Sequence, residues 1–219
     1  MKKILVLVAL VFSAFGFSQE TVKEGVITTT QTLSSPDEQM NMQVAMVGQV
    51  ITTTWFKNDK SRSEMSSPMM GNTIVVMDGS TNKMLLMVDN AMTGKKYMLN
   101  DLTPSEEKLK NVTVVESTET KTILGYECKK YDVKMMKNGA EVKMALYTSD
   151  KVPAKSQHSA GLGNKIKGYP MLMEMTMSQM GTDINIKMEV TDIKTEEVVE
   201  AKFDMTPLEG YEKTEQIGM

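Results

Sequence analysis

Between Pro170 and Ser178 the chain places a methionine at every second residue: Met171, Met173, Met175 and Met177. A period of two puts alternate side chains on one face of an extended strand, so this stretch is committed to a sheet with a methionine face. Methionine supplies 23 of the 219 residues, against one tryptophan and five phenylalanines. Valine and aromatic residues would set a rigid core, whereas unbranched thioether side chains form a soft layer that repacks around varied shapes. The pattern predicts a pliable apolar surface and, with it, a ligand cavity.

Alternation recurs along the chain. Met40, Met42, Val44, Met46, Gly48 and Val50 fall on one face of an expected half-buried strand, with Asn41, Gln43 and Gln49 on the other. Thr28, Thr29, Thr30 and Thr32 are β-branched and predict a strand upstream, and the segment from Ser34 to Glu38, with Pro36 and Asp37, is the connecting turn. Further strands are expected at Thr73 to Met77, Met84 to Val88 and Lys95 to Leu99, punctuated by Gly79, Asn90 and Gly94.

Two hairpins have a register that can be written down in advance. A two-residue loop at Asn138 and Gly139 pairs Lys137 with Ala140, Met135 with Val142, Val133 with Met144 and Tyr131 with Leu146. A loop at Gly181 and Thr182 would set Met177 opposite Ile186, Met175 opposite Met188 and Met173 opposite Val190. A one-residue slip would bring Asn185, Lys187 and Glu189 to the methionine face, so parity is strongly specified. Helix is scarce. Thr103, Pro104 and Glu106 have the form of a capped helix start, and a second short helix is expected around Lys155 to Ile166, interrupted by Gly161 and Gly163. The fold class is mainly β: a curved antiparallel sheet with one or two short helices to cover its apolar face.

The first 18 residues carry Lys2 and Lys3, an apolar run from Ile4 to Phe17, and small residues at Gly16 and Ser18, the pattern of a signal peptide. Cleavage after Ser18 would leave residues 19–219 as one domain, exported to the periplasm or beyond, soluble and not membrane-spanning. No cysteine follows the cleavage point to take a lipid anchor, and Cys128, the one cysteine, cannot form an internal disulfide. The chain after cleavage would hold 23 basic and 28 acidic residues, a mildly acidic balance that argues against nucleic acid and anionic membranes as partners.

Five blocks, TWFKNDKSRSEM, IVVMDGSTNKMLLM, TKTILGYECKKYDVK, GYPMLMEM and FDMTPLEGYE, taken in order, resemble a secreted Bacteroidetes domain-of-unknown-function family grouped with the LolA/LolB-like lipoprotein carriers. The resemblance covers most of the chain after residue 18. It implies an unclosed β-barrel wrapped around short helices with an apolar cavity between, and it supplies no catalytic residues. Its carriers hold an acyl chain, an analogy at the level of fold.

Candidate cavity residues are Met40, Met42, Met46, Met135, Met144, Met171, Met173, Met175, Met177, Ile186 and Met188. Arg62, the only arginine, joins them as a planar donor that lysine cannot replace; in the carriers an arginine near the cavity bonds the covering helix. Soft thioethers also select copper(I), and the loop methionines Met65, Met69 and Met70 are the candidates for it. With His158 the only histidine and Cys128 the only thiol, mixed sites are nearly excluded, and copper is expected to bind weakly or not at all. His158 reads as a solvated loop residue and Cys128 as a structural thiol. A hydrolase built on a single histidine with no GxSxG motif has no support, so no enzyme activity and no cofactor are expected. The function expected is an exported binding protein for an apolar or lipid-like ligand; the alternatives are an envelope copper(I)-binding protein and a structural or protein-interaction module.

Overall fold

The computed structural model describes residues 21–68, 71–137, 140–179 and 181–217, and most of them are extended. The strands are β1 (Glu24–Ser34), β2 (Val50–Lys57), β3 (Lys60–Ser67), β4 (Gly71–Asp78), β5 (Lys83–Asn90) and β6 (Gly94–Asp101), then β7 (Val112–Ile123), β8 (Tyr126–Lys137), β9 (Ala140–Ser149), β10 (Tyr169–Gln179) and β11 (Thr182–Lys194). A two-residue strand, β12 (Glu212–Lys213), adds in parallel to β6. All lie in one sheet in the order β12, β6, β5, β4, β3, β2, β1, β11, β10, β9, β8, β7.

Two meanders, β1 to β6 and β7 to β11, are thus joined where β1 pairs with β11. In sequence, the link from Asp101 to Val112 must also reach from one side of the sheet to the other. Laid flat, the interstrand steps from β6 to β7 would span ~48 Å. The link covers at most ~40 Å fully extended, and less with the helix α2 (Glu106–Lys110) inside it. The sheet therefore has to curl until its edges approach. It stops short of closing, since β6 and β7 do not pair. The result is a half-open barrel.

Its two faces are covered by different segments. On the concave side of β8 to β10, Tyr131, Val133, Leu146 and Met173 pack against Leu162 and Ile166. The last two belong to the β9–β10 connection, which carries α3 (Gln157–Ala160) and a 3-10 turn at Gly163–Lys165 and lies over the hollow as a lid. Ser61 ties one end of the lid, its hydroxyl donating to the Lys155 carbonyl at 2.9 Å; Thr148 ties the other, donating to the Lys167 carbonyl at 2.6 Å. Gly168 follows with φ of 82°, and a Cβ there would meet the Ser149 carbonyl oxygen at 2.5 Å, so only glycine lets the lid rejoin the sheet. On the outer side of the other meander, Val76, Leu85 and Met87 are covered by Val198, Phe203 and Tyr211 of the C-terminal segment. Ile27, Phe56, Val152, Ala154 and Tyr169 fill the end of the barrel where β1 begins. Among the described residues, no helix is long and apolar enough to cross a membrane.

Several sequence expectations need correction. Met40 to Met46 form no strand: residues Glu38–Ala45 are the helix α1, with the Asp37 carboxylate accepting the Met40 amide at 2.8 Å. Met40 and Val44, four apart, turn toward the protein, while Met42 and Met46 stand in solvent. Glu, Gln, Met and Ala are strong helix formers, and the cap decided in their favour. Thr103 does not cap α2 but donates its hydroxyl to Asn82, so that helix starts later than expected. The loop between β10 and β11 sits one residue earlier than Gly181 and Thr182, which sets Met177 opposite Ile184, Met175 opposite Ile186 and Met173 opposite Met188. The first hairpin has the expected register throughout, although Asn138 and Gly139 lie outside the described residues. So do the signal segment, Met69 and Met70.

Candidate functional site

Between the lid and the concave face lies a cavity of about 130 Å³. Its floor is built by register. Thr29 of β1 pairs with Thr52 of β2, which pairs with Met65 of β3, which pairs with Thr73 of β4. One rung nearer the filled end, Thr54 pairs with Ser63 and their hydroxyls hydrogen-bond at 2.8 Å. All of these residues line the cavity, so a patch of hydroxyls crosses four strands on a face where the alternation would ordinarily place apolar side chains. Tyr169 enters from β10. Burial pushes its phenol pKa up, partly offset by hydrogen bonds to Thr54 and Thr29, which join Thr29, Thr54, Ser63 and Tyr169 into one network.

The lid supplies Ser156, Gln157 and His158. Ser156 caps α3, its hydroxyl accepting the His158 amide at 3.3 Å, and this fixes where the imidazole starts. His158 is partly buried against the cavity, and loss of water pushes its pKa down to about 4. It is neutral at physiological pH. That corrects its reading as a solvated loop residue: the Ser and Lys around it belong to a lid whose inner side is covered.

Methionine forms the remaining wall. Met173 and Met188, a registered pair on β10 and β11, line the cavity, and Met65 does so from the floor. Beyond them the concave face continues through Leu33 paired with Ile186, Ile186 with Met175, and Ile184 with Met177. These five side chains are half-buried, a strip of apolar surface open on one side. The strip runs toward the end of the barrel that carries the β1–β2 connection and the β3–β4, β5–β6, β8–β9 and β10–β11 turns, all placed together by the antiparallel order. Exposed methionines ring that mouth. Met92 in the β5–β6 turn is 90% exposed, Met46 after α1 is 72% exposed, and Met42 and Met136 are more than half exposed.

The expected site residues thus divide. Met173 and Met188 line the cavity, Met175, Met177 and Ile186 form the strip, and Met135 and Met144 pack half-buried around the lid cluster. Met171 is fully buried at a β-bulge between Pro170 and Leu172 and joins a different cluster from Met173, so the four methionines are not one stripe. Met40, Met42 and Met46 belong to the mouth helix and its cap, away from the cavity. Arg62 lies on the opposite face of β3 from Ser63 and Met65, between Trp55 and Val76, with its Nε on the Glu64 carboxylate at 2.6 Å. Its registration beside Trp55 on the face covered by the C-terminal segment leaves it no access to the lid. Cys128 is fully buried, and burial pushes its thiol up to about 11, which makes it inert.

Sequence reading missed the hydroxyl patch. Each threonine and serine, taken on its own strand, reads as a β-former or a turn residue. Only the pairing of four strands gathers them.

No protein-family model matches the chain, and no curated protein matches it. Among solved structures, the chain is similar to PNGF-II, with 14% identity and a TM-score of 0.46 over 88% of this chain. It spans 31% of the length of that protein. It is also similar to the Mycobacterium tuberculosis lipoprotein LppX, with 6% identity and a TM-score of 0.30 over 79% of this chain and 90% of the other. The likeness to the Bacteroidetes family rests on the sequence blocks alone.

Proposed function

We propose that this protein is an exported, non-enzymatic binding protein that holds an apolar or amphiphilic ligand, a lipid or acyl chain, in its half-open barrel. One observation carries the reading: an apolar strip is left half-covered inside the barrel and joins the cavity under the lid to a mouth. A core of this size would normally bury such residues, since each Met, Ile or Leu taken fully out of water contributes about 1.5–3 kcal/mol. Leaving five of them half-open forgoes that stabilisation, and a bound chain would recover it. The cavity by itself is below the roughly 300–1,000 Å³ of drug-sized sites. A long chain therefore has to lie along the strip, with the lid shifting to admit it.

A second reading is favoured by one further observation. His158 and three methionines, Met65, Met173 and Met188, line the same cavity, so the single histidine that nearly excludes a mixed His/Met copper(I) site shares its surroundings with three thioethers. A neutral imidazole and soft thioethers suit that ion.

Native mass spectrometry of the protein purified from exporting cells separates the readings. An added lipid mass that disappears under denaturing conditions supports the first. An added copper mass, lost in His158→Gln, supports the second. A bare polypeptide mass, unchanged after incubation with acyl amphiphiles and with copper(I), sinks both and leaves a structural or interaction module.

A further inference from the structure

We infer that the ligand is an amphiphile with an uncharged, hydroxyl-bearing headgroup, held head-down on the threonine and serine patch with its chain running out along the methionine strip. This rests on the binding reading above and adds the chemical class and the orientation.

The cavity sits at the inner end of the strip, so an amphiphile can place only one end there, and the lining decides which. An aliphatic end would face Thr52 and Thr73, offering nothing to hydroxyls that each carry a donor and two acceptor positions, beside Thr29, Thr54 and Ser63, which already share hydrogen bonds among themselves and with Tyr169. A site built to hydrogen-bond a polar group discriminates against an analogue lacking it, because its own polar atoms are then left with fewer partners. The head therefore goes in and the chain goes out.

The headgroup's charge follows from what the lining omits. Among the described residues that line the cavity there is no lysine, arginine, aspartate or glutamate. A phosphate or carboxylate placed there would lose its hydration and meet hydroxyls, the amides of Gln31 and Gln157 and a neutral imidazole, without a counter-ion. An ammonium head would meet no carboxylate. Burying an unpaired charge is far costlier than burying a hydroxyl that finds partners. Hydroxyls, esters and ethers suit the patch, because Thr and Ser hydroxyls rotate to donate or accept as the ligand requires.

Size agrees. A cavity of ~150 Å³ takes a molecule as large as benzene, so about 130 Å³ holds a group of roughly six non-hydrogen atoms. Glycerol has that size. An acyl chain does not fit and must occupy the strip.

The test is displacement of a fluorescent acyl probe from the full chain after signal removal, at pH 7.5, by three amphiphiles sharing one oleoyl chain: oleoylglycerol, oleate and lysophosphatidylglycerol. Oleoylglycerol should bind roughly tenfold or more tightly than the two anions, the discrimination expected when a charge is left without a partner. Thr52→Val and Thr73→Val, each close in shape to the original, should weaken oleoylglycerol severalfold while leaving the anions unchanged. Circular dichroism and thermal melting show whether the variants fold. Equal affinity for all three, or preference for an anion, overturns the headgroup assignment and leaves the carrier reading intact. If no amphiphile displaces the probe, or the probe itself does not bind, the carrier reading fails and takes this inference with it.

Discussion

At the scale of single residues the cavity is defined by what burial does to ordinary groups. His158 would titrate near 6.5 in an unfolded chain, and in the fold it is pushed down to about 4 by loss of solvent. The unfolded state therefore binds the proton more readily. Above pH 6.5 neither state is protonated and His158 has no effect on stability; as pH falls from 6.5 to about 4 the unfolded state is favoured progressively, and below that the loss levels off. At 1.36 kcal/mol per pH unit, the whole window removes up to ~3 kcal/mol. Urea denaturation between pH 7 and 4 should show this slope in the wild type and a shallower one in His158→Gln. Equal slopes would mean that the imidazole stays hydrated. The same burial is not legible in the sequence around this histidine: its neighbours in sequence are polar, and the apolar cover comes from Met65 of β3 and Val75 of β4, more than 80 residues away.

At the scale of elements, the β10–β11 hairpin shows what alternation can specify. The expected register was off by two residues, and because the side-chain period is two, the same residues still face inward. The Asn-Gly hairpin had a unique loop length and its pairs were legible in full. Region 38–50 was not. An alternation of methionines over a single turn and a half fits a strand or a helix, and the Asp37 cap, visible in the sequence, was the cue that should have decided it. Along β10 the depth of the methionines changes with position: Met173 is 4% exposed, and Met175 only half-buried. Met173→Ala should therefore cost ~2–5 kcal/mol, as expected for a filled site, and Met175→Ala clearly less. Met175→Phe, which would strain a close-packed core by ~1–3 kcal/mol, should be accepted with little loss and should weaken binding of a long acyl probe. Chemical denaturation of the three variants, paired with probe titration, checks this. Equal costs for the two alanine variants would show that the strip is ordinary core.

At the scale of the molecule, the alternation makes the sheet and the parity of its faces legible, and leaves the curl hidden. Curl depends on which strands sit at the edges, and that follows from the β1–β11 pairing, a contact between residues about 160 apart. Once the curl is known, turns scattered through the chain converge on one mouth, and Met42 and Met46, expected in a strand, come to ring it together with Met92. Exposed methionines are adaptable apolar contacts; on the proposed binding reading they would meet an amphiphile as it enters the barrel chain-last. They touch little in the folded protein, so replacing them changes stability by no more than ~0.5 kcal/mol each. A triple variant, Met42→Gln, Met46→Gln and Met92→Gln, should keep its melting temperature and its equilibrium affinity for a soluble acyl probe, since the cavity and the strip are untouched. Uptake of the same probe from vesicles should slow severalfold, as measured by stopped-flow fluorescence. Slower uptake with unchanged affinity assigns the mouth to transfer; a fall in affinity would place part of the ligand on the rim, and no change in either would make the rim methionines bystanders.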